Sequence, residues 1–189
     1  MGRSSNEEAQ RTRQRIVETA SDLFRSKGAD HVSLADLTAA LGLTTGAFYR
    51  HFASKEALLA ETYQLAFDRA GQRWQDQTTR DKHDQESLRG SLLRYYLRPN
   101  PQGRCPMIAF AEDASRAPKE ADLRKAYARG AEDLFRLFMG ASTPDNGPDT
   151  KAMLLFAAMV GARRLEEAAG GAPWVEDIRK AVLDAATAA

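Results

Sequence analysis

The sequence predicts an all-helical fold, in which an N-terminal three-helix domain precedes a larger helical domain. Apolar residues recur three and four positions apart in one segment after another, which is the spacing of amphipathic helices. No run alternates apolar and polar residues as a half-buried strand does. Glycine and proline cluster where the periodic segments stop, and such clusters break regular structure. About nine helices are expected, with a domain boundary that separates residues 1–55 from 56–189.

The composition is that of an ordinary globular chain. Its 189 residues are 43% hydrophobic and 28% charged, and the net charge is +1. Because the chain has no overall basic field, nucleic-acid binding would need a local basic face. The single cysteine, Cys105, excludes an intrachain disulfide and fits a reducing cytoplasm. The longest apolar stretch, 153–162, is too short to cross a bilayer, so we expect a soluble cytoplasmic protein with no membrane partner.

Residues 33–52 predict two short helices joined by a tight turn. Ser33 can cap the first helix, and Asp36 supplies an acid in its first turn. Gly42 can adopt the positive φ that ends a helix, and Thr44 can cap the next helix about two residues later. Two helices joined by so short a turn must cross steeply, which is the geometry of a helix-turn-helix.

The second helix of this pair has a polar outer face. Its spacing turns Ala47, Phe48 and Phe52 inward and leaves hydroxyl groups, a phenol, a guanidinium and an imidazole outside. These groups are suited to phosphates and base edges. The outward residues are Thr44, Thr45, Gly46, Tyr49, Arg50 and His51.

Residues 44–58, Thr-Thr-Gly-Ala-Phe-Tyr-Arg-His-Phe-Ala-Ser-Lys-Glu-Ala-Leu, resemble the DNA-binding core of the TetR family of transcriptional repressors. The likeness is close over 11–59, and beyond that it lies only in helical layout and length. It implies a homodimer that binds an inverted repeat in double-stranded DNA and is released by a small molecule. The family motif is matched by Tyr49, His51, Phe52, Ser54, Lys55, Glu56 and Leu58.

The same resemblance implies a role for individual residues at the DNA. Base edges would face three residues of the second helix, and phosphates would be held by residues at both ends of the motif. Arg50 either joins these contacts or points away. The residues implied at base edges are Thr45, Gly46 and Ala47, and those implied at phosphates are Ser33, Thr44, Tyr49, His51 and Lys55.

A first helix is predicted over residues 10–27, after a polar and disordered segment over 1–9. Arg11, Arg13 and Arg15 crowd its first turns. Such a charge run is commonly a solvated face, and the neighbouring motif makes contact with DNA phosphates an equal alternative.

Six further helices are expected, and one of them carries the predicted dimer interface. The helix over 150–168 is apolar nearly all round from 153 to 162, so it should be buried on most sides. Its small residues would let a second protomer approach, and the last helix would complete a four-helix interface. The alternative is a core helix within one chain. The interface residues are Ala157, Ala158, Gly161, Ala162, Trp174, Ile178 and Val182. The other helices are predicted over 54–78, 86–97, 107–115, 119–139 and from 174 onward, with a connector over 76–86 and loops over 98–103 and 142–149.

The domain after residue 55 should hold a cavity for a small apolar or aromatic ligand. Its aromatic and methionine side chains exceed what a core of short helices needs, and ligand pockets are mostly apolar with a few polar anchors. Plain core packing is the alternative for each residue. The candidates are Phe67, Trp74, Tyr96, Met107, Phe110, Phe135, Met139, Phe156 and Met159, with Tyr95, Glu112 or Arg163 as a polar anchor.

Cys105 has two interpretations. As a buried thiol it would be a packing residue. As the residue before Pro106 and beside Arg104, it would lie at a helix N-terminus that favours the thiolate, and it could then sense oxidants or electrophiles.

No other chemistry has a supporting pattern in the sequence. The three histidines are scattered and form no zinc spacing, and the sequence has no glycine-rich phosphate loop or nucleophile turn. The adjacent carboxylates Glu112 and Asp113, like Glu166 and Glu167, would point to different faces of a helix. We therefore expect no catalytic residue, metal or cofactor. A helical protein-interaction adaptor or a small helical enzyme is the alternative class.

Overall fold

The computed structural model describes residues 2–80, 85–98, 104–140 and 149–187. Within these ranges the chain forms ten α-helices and one short 3-10 turn and contains no strand, which confirms the all-α class. None of the described helices is long and apolar enough to span a membrane. The helices are α1 Gly2–Lys27, α2 Leu34–Leu41, α3 Thr45–Phe48, α4 Lys55–Arg80, α5 Gln85–Leu97, α6 Pro106–Ala109, α7 Ala111–Arg116, α8 Asp122–Met139, α9 Thr150–Ala169 and α10 Pro173–Thr187, and the 3-10 turn spans Ala29–His31.

The first helix begins earlier than the sequence predicts. The expectation of disorder over 1–9 is wrong from Gly2 onward, because α1 already starts there. Its early turns are polar, and Arg11 lies 3.8 Å from the carboxylate of Glu7 one turn before it. Residues 6–11 are exposed, and a polar helical segment with charged pairs one turn apart can tolerate exposure to solvent.

Two other segments differ from the prediction. The helix expected over 107–115 is divided into α6 and α7 at Phe110, whose φ of −108° and ψ of −1° depart from regular helical values. The connector expected from residue 76 is wrong over 76–80, where α4 continues. The rest of that connector from 81 to 84, which includes His83, lies outside the described residues. So do 99–103 and 141–148, where most of the two predicted loops fall.

The chain divides into two compact units. The first consists of Met1–Arg69 and Gly103–Ala131, and the second consists of Ala70–Gln102 and Glu132–Ala189. Helices α4 and α8 therefore contribute residues to both units, and α6 and α7 belong to the first. The boundary that the sequence places after residue 55 stays a prediction.

The core of the first unit is built from aromatic residues of several helices. Tyr63 on α4 is fully buried and stacks on Phe110, with ring centroids 4.0 Å apart. Helix α8 comes so close to α4 that a Cβ at Gly130 would lie 2.2 Å from Cγ of Phe67. This distance is far below van der Waals contact, so only glycine fits at that position without a shift of Phe67.

The core of the second unit lies among α5, α9 and α10, with α10 packed against both of the others. Met159 on α9 is fully buried, and Trp74 meets the ring of Tyr96 edge-on, with centroids 5.9 Å apart. Arg89 donates to the carboxylate of Asp149 at 2.6 Å and to the carbonyl oxygen of Met139 at 2.9 Å. One guanidinium therefore ties the start of α9 to the end of α8.

Within one chain, helix α9 is buried on one side only, and its burial on most sides, which a second protomer would complete, stays a prediction. One stripe, which includes Leu155 and Met159, packs inward. The opposite stripe is open, and Leu154 is 66% exposed. The exposed residues recur at helical spacing, so the apolar residues of α9 form two faces, one buried in the unit and one exposed to solvent. The exposed residues of α9 include Met153, Leu154, Ala157, Ala158 and Gly161, while Ala162 is buried in its own unit.

Candidate nucleic-acid interface

Helix α2 begins with a complete capping box. The hydroxyl oxygen of Ser33 accepts the N–H of Asp36 at 3.1 Å, and the Asp36 carboxylate accepts the N–H of Ser33 at 2.9 Å. The hydrogen bond from the Ser33 hydroxyl, followed by that from its backbone N–H, lowers the pKa of Asp36. The start of α2 is therefore set by local hydrogen bonds that the sequence encodes within four residues.

The turn between α2 and α3 is equally local. Gly42 has φ 64° and ψ 32°, in the left-handed region, and its N–H bonds to carbonyl oxygens at the end of α2. The Thr44 hydroxyl then accepts the N–H of Ala47 at 3.1 Å and caps α3. Because both helices are capped across a three-residue link, their crossing is defined by backbone geometry, as in a helix-turn-helix.

Helix α3 presents the polar face that the sequence predicts. Phe48 and Phe52 are buried and stack at 5.7 Å, which holds the inner side of the helix. Tyr49 is 54% exposed and meets the Phe48 ring edge-on. Thr44, Thr45, Gly46 and Arg50 are exposed as well, whereas Ala47 and His51 are half-buried. The contacts of these residues with DNA stay predictions.

Two predicted phosphate residues are also engaged within the fold. The Ser33 hydroxyl is exposed and donates to the Asp36 carboxylate at 2.6 Å, besides its capping bond. The ammonium of Lys55 donates to the carbonyl oxygen of Ala29 at 2.6 Å and lies 5.8 Å from the ring centroid of Phe24. An ammonium has three donors, so this bond leaves donors available for a phosphate.

Arg13 has a partner within the chain that neither of the two predicted alternatives for the α1 arginines included. Its guanidinium makes a two-point pair with the Glu61 carboxylate of α4, in which Nη1 lies 2.6 Å from Oε2 and Nη2 contacts Oε1. It also covers the ring of Phe52 at 4.5 Å from the centroid. The hydrogen bonds that Arg13 donates to Glu61 raise the pKa of Arg13. Arg11 and Arg15 are exposed, so either alternative is open for them.

These inward bonds of Arg13 and Lys55 connect residues far apart in the chain. Arg13 and Glu61 are 48 positions apart, and Lys55 and Ala29 are 26 positions apart. Periodicity assigns a residue to a face of its helix and cannot identify a partner on another helix. For the Arg13–Glu61 pair, the sequence signal was a cation and an acid on two predicted helices, and the bond of Lys55 to a backbone carbonyl oxygen had none.

The ligand candidates are distributed over both units. In the first unit, Phe67, Met107 and Phe110 are buried, and Phe67 meets the ring of Tyr127 edge-on. Seven candidates lie in the second unit, where Trp74 contacts Tyr96 and Phe135 contacts Phe156. The residues of the second unit are Trp74, Tyr96, Phe135, Met139, Phe156, Met159 and Arg163. Their role in ligand binding stays a prediction.

The proposed polar anchors already have partners in their own units. Arg163 is buried, donates to the carbonyl oxygen of Arg98 at 3.0 Å and pairs with Glu166 at 3.1 Å. Tyr95 lies under the guanidinium of Arg98, and Glu112 pairs with Arg116. A ligand that used one of these anchors would therefore compete with an existing ion pair, hydrogen bond or cation–π contact.

Cys105 is half-buried and is the residue that precedes α6, with Pro106 at the first helical position as predicted. Helix α6 has only four residues, so its dipole is small and gives the thiolate little support. A role of Cys105 in sensing stays a prediction. Among the residues that the structure describes, no group of three or more histidine, cysteine or acidic side chains could hold a metal ion.

The fold and this surface define a class of protein: an all-helical chain whose first unit carries a helix-turn-helix with an exposed, capped second helix. The family model described as bacterial regulatory proteins, tetR family, matches residues 16–62, which run from α1 into α4. The first unit therefore carries the helix-turn-helix domain of the TetR family.

The similarity to curated proteins lies in the N-terminal part of the chain. The chain is 39% identical over 72 residues to the HTH-type transcriptional regulator AcrR of Shigella flexneri. This match covers 38% of this chain and 34% of that protein. The chain is 42% identical over 59 residues to the HTH-type transcriptional regulator TtgR of Pseudomonas putida, which covers 31% and 28%. The matched part spans about a third of the length of these relatives.

The similarity to solved structures extends over both units. A TetR transcriptional regulator from Chloroflexus aurantiacus J-10-FL superimposes with a TM-score of 0.75 and 26% identity, and the match covers 96% of each chain. The whole helical layout, and not only the helix-turn-helix, is therefore that of a TetR-type regulator.

Proposed function

We propose that the chain is a cytoplasmic DNA-binding transcriptional regulator, a repressor that binds an inverted-repeat operator as a homodimer and is released by a small apolar or aromatic molecule. The observation that carries this proposal is the exposed polar face of α3, held between two local caps and an aromatic stack. Repressor relatives support the sign of the regulation, since one is a probable acrEF/envCD operon repressor of Escherichia coli.

At the DNA, the exposed hydroxyls and backbone of α3 would make the contacts. Thr45, Gly46 and Ala47 would face base edges, with Thr44 and Tyr49 on phosphates beside them. Ser33, His51, Lys55 and Arg50 would add contacts along the DNA backbone. Helix α3 has no long amide or ammonium side chain, so direct readout would be limited to the Thr45 side chain and the Ala47 methyl group, and DNA shape would supply the rest.

The dimer would form through α9 and α10. Leu154 is 66% exposed and Trp174 is 50% exposed, and an apolar groove of about 530 Å³ runs along the two packed helices. Exposed apolar side chains beside an apolar groove mark an interaction site, and two such helices from each protomer make a four-helix interface. The groove is lined by Lys151, Leu154, Leu155, Ala158, Ile178, Ala181, Val182 and Ala185. In the simplest docking, the two α3 helices would read half-sites about one helical turn apart, roughly 34–36 Å.

The ligand would occupy the aromatic-rich core that follows the helix-turn-helix. The buried Trp74 and Tyr96, in edge contact, offer the flat apolar surface that an aromatic molecule would stack against. Release would require the ligand to favour a form of the protein that binds DNA less tightly. A ligand that lowers operator affinity should therefore itself bind more weakly once operator DNA is present.

The test is a mobility-shift titration on the DNA upstream of the protein's own coding sequence. Thr45→Asp places a carboxylate on the exposed face of α3, and repulsion from phosphates should weaken binding about 100-fold. Tyr49→Ala should weaken it by a smaller factor. Thr79→Asp is the matched control, because this exposed threonine bonds only within α4 and belongs to the second unit.

Equal binding by the Thr45→Asp variant and the wild type would contradict the proposal. So would binding that does not weaken with added salt, because phosphate contacts release counterions. A helical adaptor or a small helical enzyme would show neither dependence.

A further inference from the structure

We propose that Arg13 is a positioning residue for the recognition helix α3, and that it is not one of the phosphate contacts. This inference rests on the proposed function, because it concerns how the DNA-reading surface is held. It starts from one group that touches two elements: the Arg13 guanidinium pairs with Glu61 of α4 and covers the ring of Phe52, which follows α3.

The two contacts use different parts of the same guanidinium. Its edge donates two N–H groups to the carboxylate, and a two-point pair of this kind fixes the plane of the guanidinium. Its flat face then lies 4.5 Å from the centroid of the Phe52 ring, within the range of a cation–π contact. The pair uses one N–H of each Nη atom, so a phosphate could reach only the remaining N–H groups of a guanidinium whose orientation Glu61 and Phe52 already set.

Phe52 transmits this restraint to the exposed face. It is buried and stacks on the fully buried Phe48, and Phe48 in turn meets Tyr49 edge-on at 5.4 Å. Phe48 and Phe52 are the inward anchors of α3 and of the turn after it. A change in how Arg13 holds Phe52 would therefore tilt the helix that carries Thr45 and Tyr49.

The chain offers a matched control for this arrangement. Arg69 of α4 pairs with Glu18 of α1 at 2.9 Å, so it joins the same two helices as the Arg13–Glu61 pair. The two pairs are similarly exposed, at 43% and 41% for Arg13 and Glu61 and at 37% and 43% for Arg69 and Glu18. Unlike Arg13, Arg69 contacts no ring of α3 or of its turn.

The experiment measures operator affinity as a function of salt. The probe is a duplex selected by the wild-type protein from a random pool. Arg13→Gln should weaken binding about tenfold at every salt concentration, the size expected for residues coupled by direct contact. The slope of log affinity against log salt should stay as in the wild type, because no phosphate contact is lost. Loss of a phosphate contact would instead reduce the slope by about 0.9.

Glu61→Gln should change operator affinity in opposite directions for the two possible roles of Arg13, phosphate contact and positioning residue. Removal of an acid beside DNA and release of Arg13 should strengthen binding if the guanidinium can act on phosphates. If Arg13 acts through Phe52, the same change loosens the pair and should weaken binding severalfold. Arg13→Lys keeps the charge and loses the two-point pair, so it should not restore affinity.

Arg69→Gln and Glu18→Gln are the controls for the effect of losing an ion pair between α1 and α4. They should lower the thermal midpoint of unfolding about as much as Arg13→Gln does and leave operator affinity unchanged. A reduced salt slope in Arg13→Gln, or tighter binding by Glu61→Gln, would overturn the inference while the proposed function stands. If the wild type selects no duplex and shows no salt-dependent binding, the proposed function fails, and this inference fails with it.

Discussion

The helix-turn-helix surface and the α9–α10 face are both exposed, yet they are built in opposite ways. Around α3 the apolar side chains Phe48 and Phe52 are buried, and hydroxyls, a guanidinium and a phenol face outward. On α9 and α10 the apolar side chains themselves face outward, led by Leu154 and Trp174. One surface buries its apolar side chains within the chain, and the other leaves apolar side chains exposed, as interaction sites do.

This difference also determines how each surface depends on its surroundings. Helix α3 is defined by caps at Ser33 and Thr44 and by a short ring stack, all of which lie within one unit. The α9–α10 face has no such internal closure. We therefore expect substitutions near α3 to alter binding without changing oligomeric state, and substitutions on α9 to alter both.

The largest effect is expected from Leu154→Asp. An unpaired carboxylate in an apolar interface costs about 3 kcal/mol, and a two-fold dimer contains the substitution twice. The variant should be a monomer at micromolar concentration and should lose operator binding by more than about 100-fold. Sedimentation equilibrium and the mobility-shift titration measure the two consequences.

Lys180→Asp is the control for that variant, because it places the same acid on an exposed position of α10 outside the groove. It should remain a dimer. A wild-type chain that sediments as a monomer, or a dimeric Leu154→Asp variant, would show that the α9–α10 face does not join two copies.

The second prediction concerns two glycines in helices with opposite surroundings. Gly130→Ala forces a Cβ to within 2.2 Å of the Phe67 ring, and overpacking of this kind should cost about 2 kcal/mol of protomer stability. Gly161→Ala meets nothing within 4 Å in the chain, so helix propensity alone should stabilise the protomer by about 1 kcal/mol. Urea unfolding of both variants measures the contrast.

The same pair of variants also tests the face of α9. If a second protomer packs closely at Gly161, the larger Gly161→Leu variant should dissociate at higher concentration than the wild type while its protomer stays folded. Unchanged dimer dissociation in that variant would place the close contact elsewhere on α9.

The smallest effects are expected from two aspartates whose pKa values are shifted in opposite directions. The N–H of Ala152 and then Arg89 lower the pKa of Asp149, so its ionised form stabilises the fold at neutral pH, and this contribution is lost as pH falls through the lowered pKa. Burial and then the carboxylate of Asp30 raise the pKa of Asp113, so its ionised form opposes folding until pH falls through the raised pKa.

Asp149→Asn should therefore lower stability at pH 7 by about 1 kcal/mol, because Asn still caps α9 while Arg89 loses its anionic partner. Asp113→Asn should raise stability at pH 7 by less than about 1 kcal/mol. Urea midpoints between pH 4 and 8, roughly the range in which shifted carboxyl groups titrate, give both differences. Destabilisation by Asp113→Asn would mean that its bond with Tyr63 outweighs the cost of burying the charge.

The sequence predicted the features that depend on neighbours in the chain. The caps at Ser33, Gly42 and Thr44 follow from a few consecutive residues, and the structure confirms them. It also confirms the buried Phe48 and Phe52 and the exposed Thr45 and Tyr49, whereas Ala47 and His51 are half-buried. The TetR resemblance added the helical second unit, which the whole-chain superposition supports.

The features that sequence analysis missed depend on distant partners. The bonds of Arg13 with Glu61 and of Lys55 with Ala29 join separate helices, and no periodic pattern identifies such partners. Composition also cannot divide the apolar residues of α9 between the core of one chain and a surface for a partner, so which stripe packs inward is known only from the structure. The polar start of α1 was mistaken for disorder for a similar reason.

The length of α3 has a consequence for how much information one protomer can read. Four helical residues span about 6 Å, at about 1.5 Å of rise per residue. Base pairs are stacked about 3.4 Å apart, so α3 can lie directly over only about two of them. A genome offers roughly a million or more competing sites, and two base pairs distinguish very few of these. On the proposed function, selection of the operator must therefore come from the pair of protomers and from the deformability of the DNA between them.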